Sequence, residues 1–148
     1  MTHAYFIPDD DFVDTLVAAA RRGVDVRLLL PAKSNHIVAD LLSRGYFRRM
    51  LDAGISIHRF RDAMVHAKTA TIDGSWTTIG TANVDRLSMT GNYEINVEII
   101  DPGLAQEMER IFETDLTNTL PLTLSEWEAR DVYARFTELI LKPLRPLL

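Results

Sequence analysis

From residue 4 to residue 30 the chain runs from a short apolar stretch, through an amphipathic one, to a second apolar stretch, and that order narrows the fold sharply. Residues 4–7 read as a short strand that must stop near Pro8, whose ring fixes φ and removes a backbone donor. Asp9 or Asp10 then caps a helix whose buried stripe is Phe12, Val13, Leu16, Val17 and Ala20. Arg21 and Arg22 suit the negative end of that helix, and Gly23 suits its stop. Residues 24–30, VDVRLLL, read as a mostly buried strand. Strand, helix and strand in so short a span form a crossover unit that feeds a parallel sheet.

The polar loop 32–36 follows Pro31 at the C-terminal end of that strand, where loops commonly border the site in open α/β sheets. A helix over 37–51 is expected to pack Ile37, Leu41, Leu42, Phe47, Met50 and Leu51, with Gly45 as its weak point. Ala53 and Gly54 close it, and residues 55–60 alternate as a strand.

Next comes a ribbon over 64–96. His66 and Lys68 stand two apart in a strand-like segment, so both side chains should leave the same face. Asp73 and Gly74 make a tight turn, residues 76–80 form the return strand, and Thr81 and Asn83 leave it at the His66 end. Residues 82–92 read as a polar loop containing Arg86 and Ser88, and 93–100 as a strand in which Glu94, Asn96 and Glu98 alternate with Ile95, Val97 and Ile99.

Asp101-Pro102 starts a helix with Leu104, Met108, Ile111, Phe112 and Leu116 on its apolar face. Pro121 and Thr123 read as linker, and Ser125 with Glu128 as the reciprocal cap of a last helix. Val132, Phe136, Leu139 and Ile140 line that helix before Pro143 breaks it. The apolar tail with Lys142 and Arg145 suits a membrane surface, a partner domain or the chain's own sheet. The expectation is an α/β fold, a mixed β-sheet flanked by helices, with one domain over 1–120 and a helical tail over 121–148.

At 148 residues the chain holds one full core, and 47% hydrophobic with 25% charged residues fits a globular domain. A net charge of -5 without a long basic run argues against a nucleic-acid surface, though not against a local grip on one phosphate. No cysteine is present, which removes thiolate chemistry and cysteine-bearing metal sites. No apolar run is long enough to span a bilayer, and the first residues lack the pattern of a signal peptide. Tyr5-Phe6-Ile7-Pro8 has the look of a strand end whose beginning is nearly missing, as in the second part of something longer.

From residue chemistry alone, His66, Lys68, Thr81 and Asn83 sketch an oxyanion or phosphate pocket. Lys68 supplies a cation, Thr81 and Asn83 neutral donors, and His66 serves as nucleophile or general acid. Glu94 is placed to orient the imidazole through its far nitrogen. Against this stands the plainer reading, in which a histidine near a turn is structural. His3, His36 and His58 are read that way, and Asp73 is read as a turn residue whose carboxylate bonds nearby backbone N–H groups. The four histidines are scattered and match no metal-ligand spacing.

The spacing His66-Ala67-Lys68, then Asp73, then Gly80-Thr81-Ala82-Asn83 resembles the HxK(x)4D signature of the phospholipase D superfamily and its following G-S/T-x-N element. Thr81 stands where serine is commoner. Tyr5-Phe6-Ile7-Pro8-Asp9, Arg22-Gly23-Val24-Asp25-Val26-Arg27 with Pro31, Ala53-Gly54-Ile55, and Val84-Asp85-Arg86 with Ser88, Asn92 and Glu94 resemble the C-terminal half of bacterial cardiolipin synthases. So do Leu124, Glu126, Trp127 and the final Pro146-Leu147-Leu148.

The resemblance implies phosphatidyl transfer between two phosphatidylglycerols through a phosphohistidine, without metal or other cofactor. It implies His66, Lys68 and Asp73 as the motif's catalytic set, with His66 as acid/base. Lys68, Asn83 and, in support, Thr81 would bind phosphate oxygens, Glu94 would orient His66, and Asp73 would secure the motif. It also implies a second motif from a missing N-terminal catalytic half or another subunit, and a peripheral place at the cell membrane. A homodimeric phosphodiesterase or nuclease, and a silent domain serving packing or membrane association, are the alternatives.

Overall fold

The computed structural model describes residues 1–131 and 140. Asp9 is the cap expected: its carboxylate accepts the Phe12 N–H at 2.7 Å and starts α1 (Asp10–Arg21). The helix joins β1 (Thr2–His3) to β2 (Arg27–Pro31), and α2 (Ile37–Asp52) joins β2 to β3 (Ser56–Phe60). These three strands are parallel, with Thr2 opposite Leu29 and Leu28 opposite Ile57. β4 (Lys68–Ile72) runs antiparallel beside β1, followed outward by β5 (Trp76–Gly80) and β6 (Asn96–Ile100). At the other edge β7 (Thr119–Leu122) pairs antiparallel with β3. The order β6-β5-β4-β1-β2-β3-β7 makes the mixed, helix-flanked sheet that the sequence suggests.

Two parallel crossovers in the same direction, with the right hand such units adopt, put α1 and α2 on one face, where they share a core. Leu28, Leu30, Ile57 and Leu122 point to that face and pack with Val13, Val17, Phe47 and Met50. A short helix, α5 (Leu124–Glu128), adds Trp127, whose ring centroid lies 5.4 Å from that of Phe47. Beyond the short α3 (Arg86–Thr90), α4 (Pro102–Leu116) crosses the opposite face. There Glu113 pairs with Arg27 at 2.6 Å and Glu109 accepts the Gly74 N–H at 3.1 Å. The helices α1, α2 and α5 therefore stop short of β4–β6. Ile72, Trp76 and Ile100, aligned across that part of the sheet, have no helix above them among the described residues, and Ile100 is 83% exposed.

Several expectations are corrected by tertiary contacts. The first ladder lies at Thr2–His3, before residues 4–7, where the chain leaves the sheet; Phe6 bridges Val84 instead, and the Ile7 N–H reaches the Val84 carbonyl at 2.7 Å. β2 begins at Arg27, leaving Val24 exposed. Ile37 also stands exposed, and Tyr46 takes an inner place on α2. The polar loop 82–92 contains α3, capped by Asp85, whose carboxylate accepts the Ser88 N–H at 2.7 Å. The strand expected over 93–100 is β6, whose pairing starts only at Asn96. Of α4, only Ala105 is buried and Ile111 is exposed, since the helix lies on an edge half of the sheet.

The expected linker is β7, and Pro121 is tolerated because β7 is an edge strand. The last cap sits at Thr123 and Glu126 in place of Ser125 and Glu128. The Thr123 N–H donates to Glu126 at 3.0 Å and the Glu126 N–H to the Thr123 hydroxyl at 3.2 Å. The same spacing occurs two residues earlier than the pair read from sequence, and packing of Trp127 selects it. Val132, Phe136, Leu139, Lys142, Pro143 and Arg145 lie outside the described residues, and Ile140 is exposed.

Candidate active site

Lys68 opens β4 and lies directly across from His3 of β1. It is only 8% exposed, and its ammonium donates to the His66 carbonyl at 2.9 Å. The same nitrogen lies 3.2 Å from His66 Nδ1 and 3.3 Å from Nε2. Burial pushes the ammonium below the usual lysine range, while the Glu94 and Asp85 carboxylates act to raise it. His66 itself precedes the strand and stands exposed, which corrects the expectation that both residues share one strand. The side chains converge anyway, because the lysine stem folds back along the segment that carries the imidazole.

Asp73 does not join them. Five steps along the strand separate it from Lys68, roughly 17 Å at ordinary strand rise. It occupies the turn at the far end of the hairpin, at φ 50°, followed by Gly74 at φ 59°. Two successive left-handed residues match the twist of the strands they connect. The turn closes through the Ser75 N–H to the Ile72 carbonyl at 3.2 Å and through Gly74 to Glu109. Among the described residues the Asp73 carboxylate makes no hydrogen bond, so the expected side-chain clasp is replaced by backbone conformation and by α4.

Thr81 and Asn83 leave β5 at the Lys68 end, as read from sequence. The Thr81 hydroxyl donates to Glu94 and accepts the Ile95 N–H at 2.9 Å. Glu94 also faces Asn92 at 3.5 Å. Glu94 thus holds Thr81 and acts on Lys68 through space, and among the described residues it makes no hydrogen bond to His66. The strand-to-loop segments that follow β5 and precede β6 run together, which brings hydroxyl and carboxylate into contact first. Asn83 accepts the Tyr5 N–H at 3.4 Å, and the Tyr5 ring stands edge-on to His66 with centroids 6.4 Å apart. The Tyr5 hydroxyl donates to Asn35 and its ring lies 5.4 Å from His36, so the loop after β2 does border the site.

Two contributors escaped the sequence reading, and a third, His3, was read as structural without its place beside the site. Tyr5 offered only its place in the expected first strand and in the flanking resemblance. Asn96 accepts the Ala82 N–H at 3.3 Å, a contact made across Gly80. A Cβ on Gly80 would fall on the Asn96 amide and 2.6 Å from the Ile95 carbonyl. Gly80→Ala should therefore destabilise the fold by about 1–3 kcal/mol, as overpacking does, and chemical denaturation measures it.

His3 is the third. It is 6% exposed, neither ring nitrogen has a hydrogen-bond partner, and its pKa falls to about 3. Burial is the main cause, and the charges of the Met1 amino group and Lys68 add to it. His3 is a neutral wall beside the site's cation. Because its folded pKa lies below the unfolded 6.5, its contribution to stability is complete above pH 6.5 and is lost as pH falls towards 3. One proton taken up on unfolding gives a slope of about 1.4 kcal/mol per pH unit. Urea midpoints between pH 6.5 and 4.5 should fall steeply for the unaltered chain and less steeply for His3→Leu.

The chain's fold matches solved structures. Nuc from Salmonella typhimurium, a phospholipase D family member, superposes with a TM-score of 0.71 at 24% identity, over 83% of this chain and 80% of that one. Phosphatidylserine synthase of Haemophilus influenzae gives 0.67 at 16% identity, over 99% of this chain and 38% of that one. In sequence, cardiolipin synthase A of Pectobacterium carotovorum subsp. carotovorum (strain PC1) is 33% identical over 148 residues, 100% of this chain and 30% of the relative. Cardiolipin synthase of Clostridium perfringens (strain SM101 / Type A) is 35% identical over 144 residues, 97% of this chain and again 30% of the relative. The chain thus spans less than a third of the length of these curated relatives. Residues 1–116 match the family described as "Cardiolipin synthase, PLD-like domain", and to that family the chain belongs.

Proposed function

We propose that the chain supplies half of a phosphatidyltransferase site that forms cardiolipin from two phosphatidylglycerols. The observation that carries the reading is the Lys68 ammonium, held 3.2–3.3 Å from both ring nitrogens of His66. A cation and an imidazole so placed can grip and relay protons at one phosphoryl group. A second histidine, from the missing catalytic half or another subunit, attacks phosphorus through its ring nitrogen. The phosphorus–oxygen bond to glycerol breaks, and His66 gives the leaving oxygen its proton. His66 then takes the proton of the incoming glycerol hydroxyl, which attacks the phosphohistidine and releases the first imidazole. Lys68 and the Asn83 amide hold the non-bridging oxygens as charge builds on them. Thr81 acts through Glu94 and Ile95, as a builder of the loop, and Asp73 as a turn residue.

Among the described residues the face of β4–β6 from which Lys68 projects carries exposed Ile72 and Ile100 beside half-buried Trp76, which supports a partner beside the site. No helix among the described residues is long and apolar enough to cross a membrane. A second reading, a homodimeric phosphodiesterase, is favoured by the likeness to Nuc, of which the chain covers 80%. The deciding experiment incubates the purified chain, alone and with the N-terminal half of a relative, with phosphatidylglycerol vesicles and with a phosphodiester nucleotide, following products and oligomer size. Cardiolipin from the paired assembly supports the proposal. Nucleotide cleavage by a dimer of this chain, without cardiolipin from either preparation, would replace it with the second reading.

A further inference from the structure

Tyr5 also lines a cavity of about 310 Å³, set between the C-terminal ends of β2 and β3 and the helices α2 and α5. Part of its wall is apolar, from Phe47 and Trp127, and three arginines line it: Arg44, Arg59 and Arg130, whose guanidinium stacks on the Trp127 ring. Arg59 sits beside Leu30 on the inner face of the sheet, and its Nε is buried with no hydrogen-bond partner. Among the described residues neither Arg44 nor Arg59 makes an ion pair or a side-chain hydrogen bond. The carboxylates in the wall make their hydrogen bonds elsewhere, although the Arg59 charge acts on Glu126 through space. Asp40 accepts the Ser34 N–H at 3.0 Å, and Glu126 accepts both the N–H and the hydroxyl of Thr123 at 3.0 Å. A buried, unsatisfied guanidinium nitrogen costs free energy unless an anion meets it. The planar fork of arginine fits the oxygens of a phosphate in particular.

The cavity is one side chain away from the proposed site, since the Tyr5 ring lies 6.4 Å from that of His66. Cardiolipin carries two phosphodiesters on one glycerol. With the reacting phosphorus at His66 and Lys68, the other has to lie a few bonds away. We propose that Arg44 and Arg59 form a second phosphate subsite, which holds the phosphodiester of the acceptor lipid while its glycerol hydroxyl reaches the phosphohistidine. The assignment rests on the transfer reaction proposed above. The apolar wall then takes the first carbons of the acceptor's diacylglycerol.

Calorimetric titration of the full chain with glycerol 1,3-bisphosphate, glycerol 1-phosphate and inorganic phosphate tests the subsite without requiring turnover. The bisphosphate should bind about tenfold or more tightly than either single phosphate, because the second contact becomes intramolecular. Arg59→Gln and Arg44→Gln should each remove that preference, bringing the bisphosphate affinity down to that of glycerol 1-phosphate. Two substitutions guard against a folding defect in one, and circular dichroism checks both. Equal affinity for all three ligands, or a preference that survives in both variants, overturns the subsite. In a paired assembly the same variants should raise KM for acceptor phosphatidylglycerol and divert product to phosphatidic acid, with donor cleavage retained. Absence of donor cleavage by the unaltered assembly would overturn the reaction, and the acceptor assignment with it, even if the bisphosphate preference held.

Discussion

His66→Asn should reduce cardiolipin formation by an assembly holding both motifs to background, a loss on the order of 10³-fold or more. Asparagine keeps a similar size and can hydrogen-bond, but it cannot take and return a proton near neutral pH. His66 is exposed and precedes β4, so the substitution should leave the thermal midpoint unchanged. Rate, melting temperature and intact mass of the two halves together separate the outcomes. With the acid/base gone, the phosphohistidine on the partner should persist or fail to form, and either is visible as a change in the phosphorylated fraction. Full rate in the His66→Asn assembly would end the proposed mechanism.

Lys68→Ala should lower the rate by about 10²-fold or more, the usual cost of removing a fixed donor from a site of developing negative charge. Its effect on stability should be different in kind. The ammonium is buried and its pKa is lowered, chiefly by desolvation. Below its folded pKa the protein therefore carries a destabilising charge, and stability rises as pH climbs from there towards the unfolded value of 10.5. Lys68→Met keeps the apolar stem and removes the charge. It should melt no lower than the unaltered chain at neutral pH, and it should lack the alkaline gain. A variant that lost activity only in proportion to lost folded protein would assign Lys68 to structure alone. Activity traded against stability at one residue is the usual mark of a functional site.

The parts legible in the sequence are those governed by neighbours a few residues away. Asp9 and Asp101 cap their helices because an extended carboxylate reaches an N–H three positions on. β5 runs from Trp76 to Gly80 as read, because alternation and a Gly-containing turn fix a hairpin locally. The motif spacing likewise placed His66, Lys68, Thr81 and Asn83 at one end of that hairpin. Tertiary structure decided the rest. Asp73 shares the motif but lies a strand's length from the lysine, since spacing along β4 is distance along the sheet. Glu94 met Thr81 before it could meet His66. Pro121 became part of a strand because β3 offered it an edge. His3 became the buried neighbour of Lys68 through a register 65 residues long in sequence, and Arg59 was left facing a cavity by helices that arrive on either side of it in the chain. A side chain's reach sets the first group, and only the packing of distant segments, with the burial and charge it brings, sets the second.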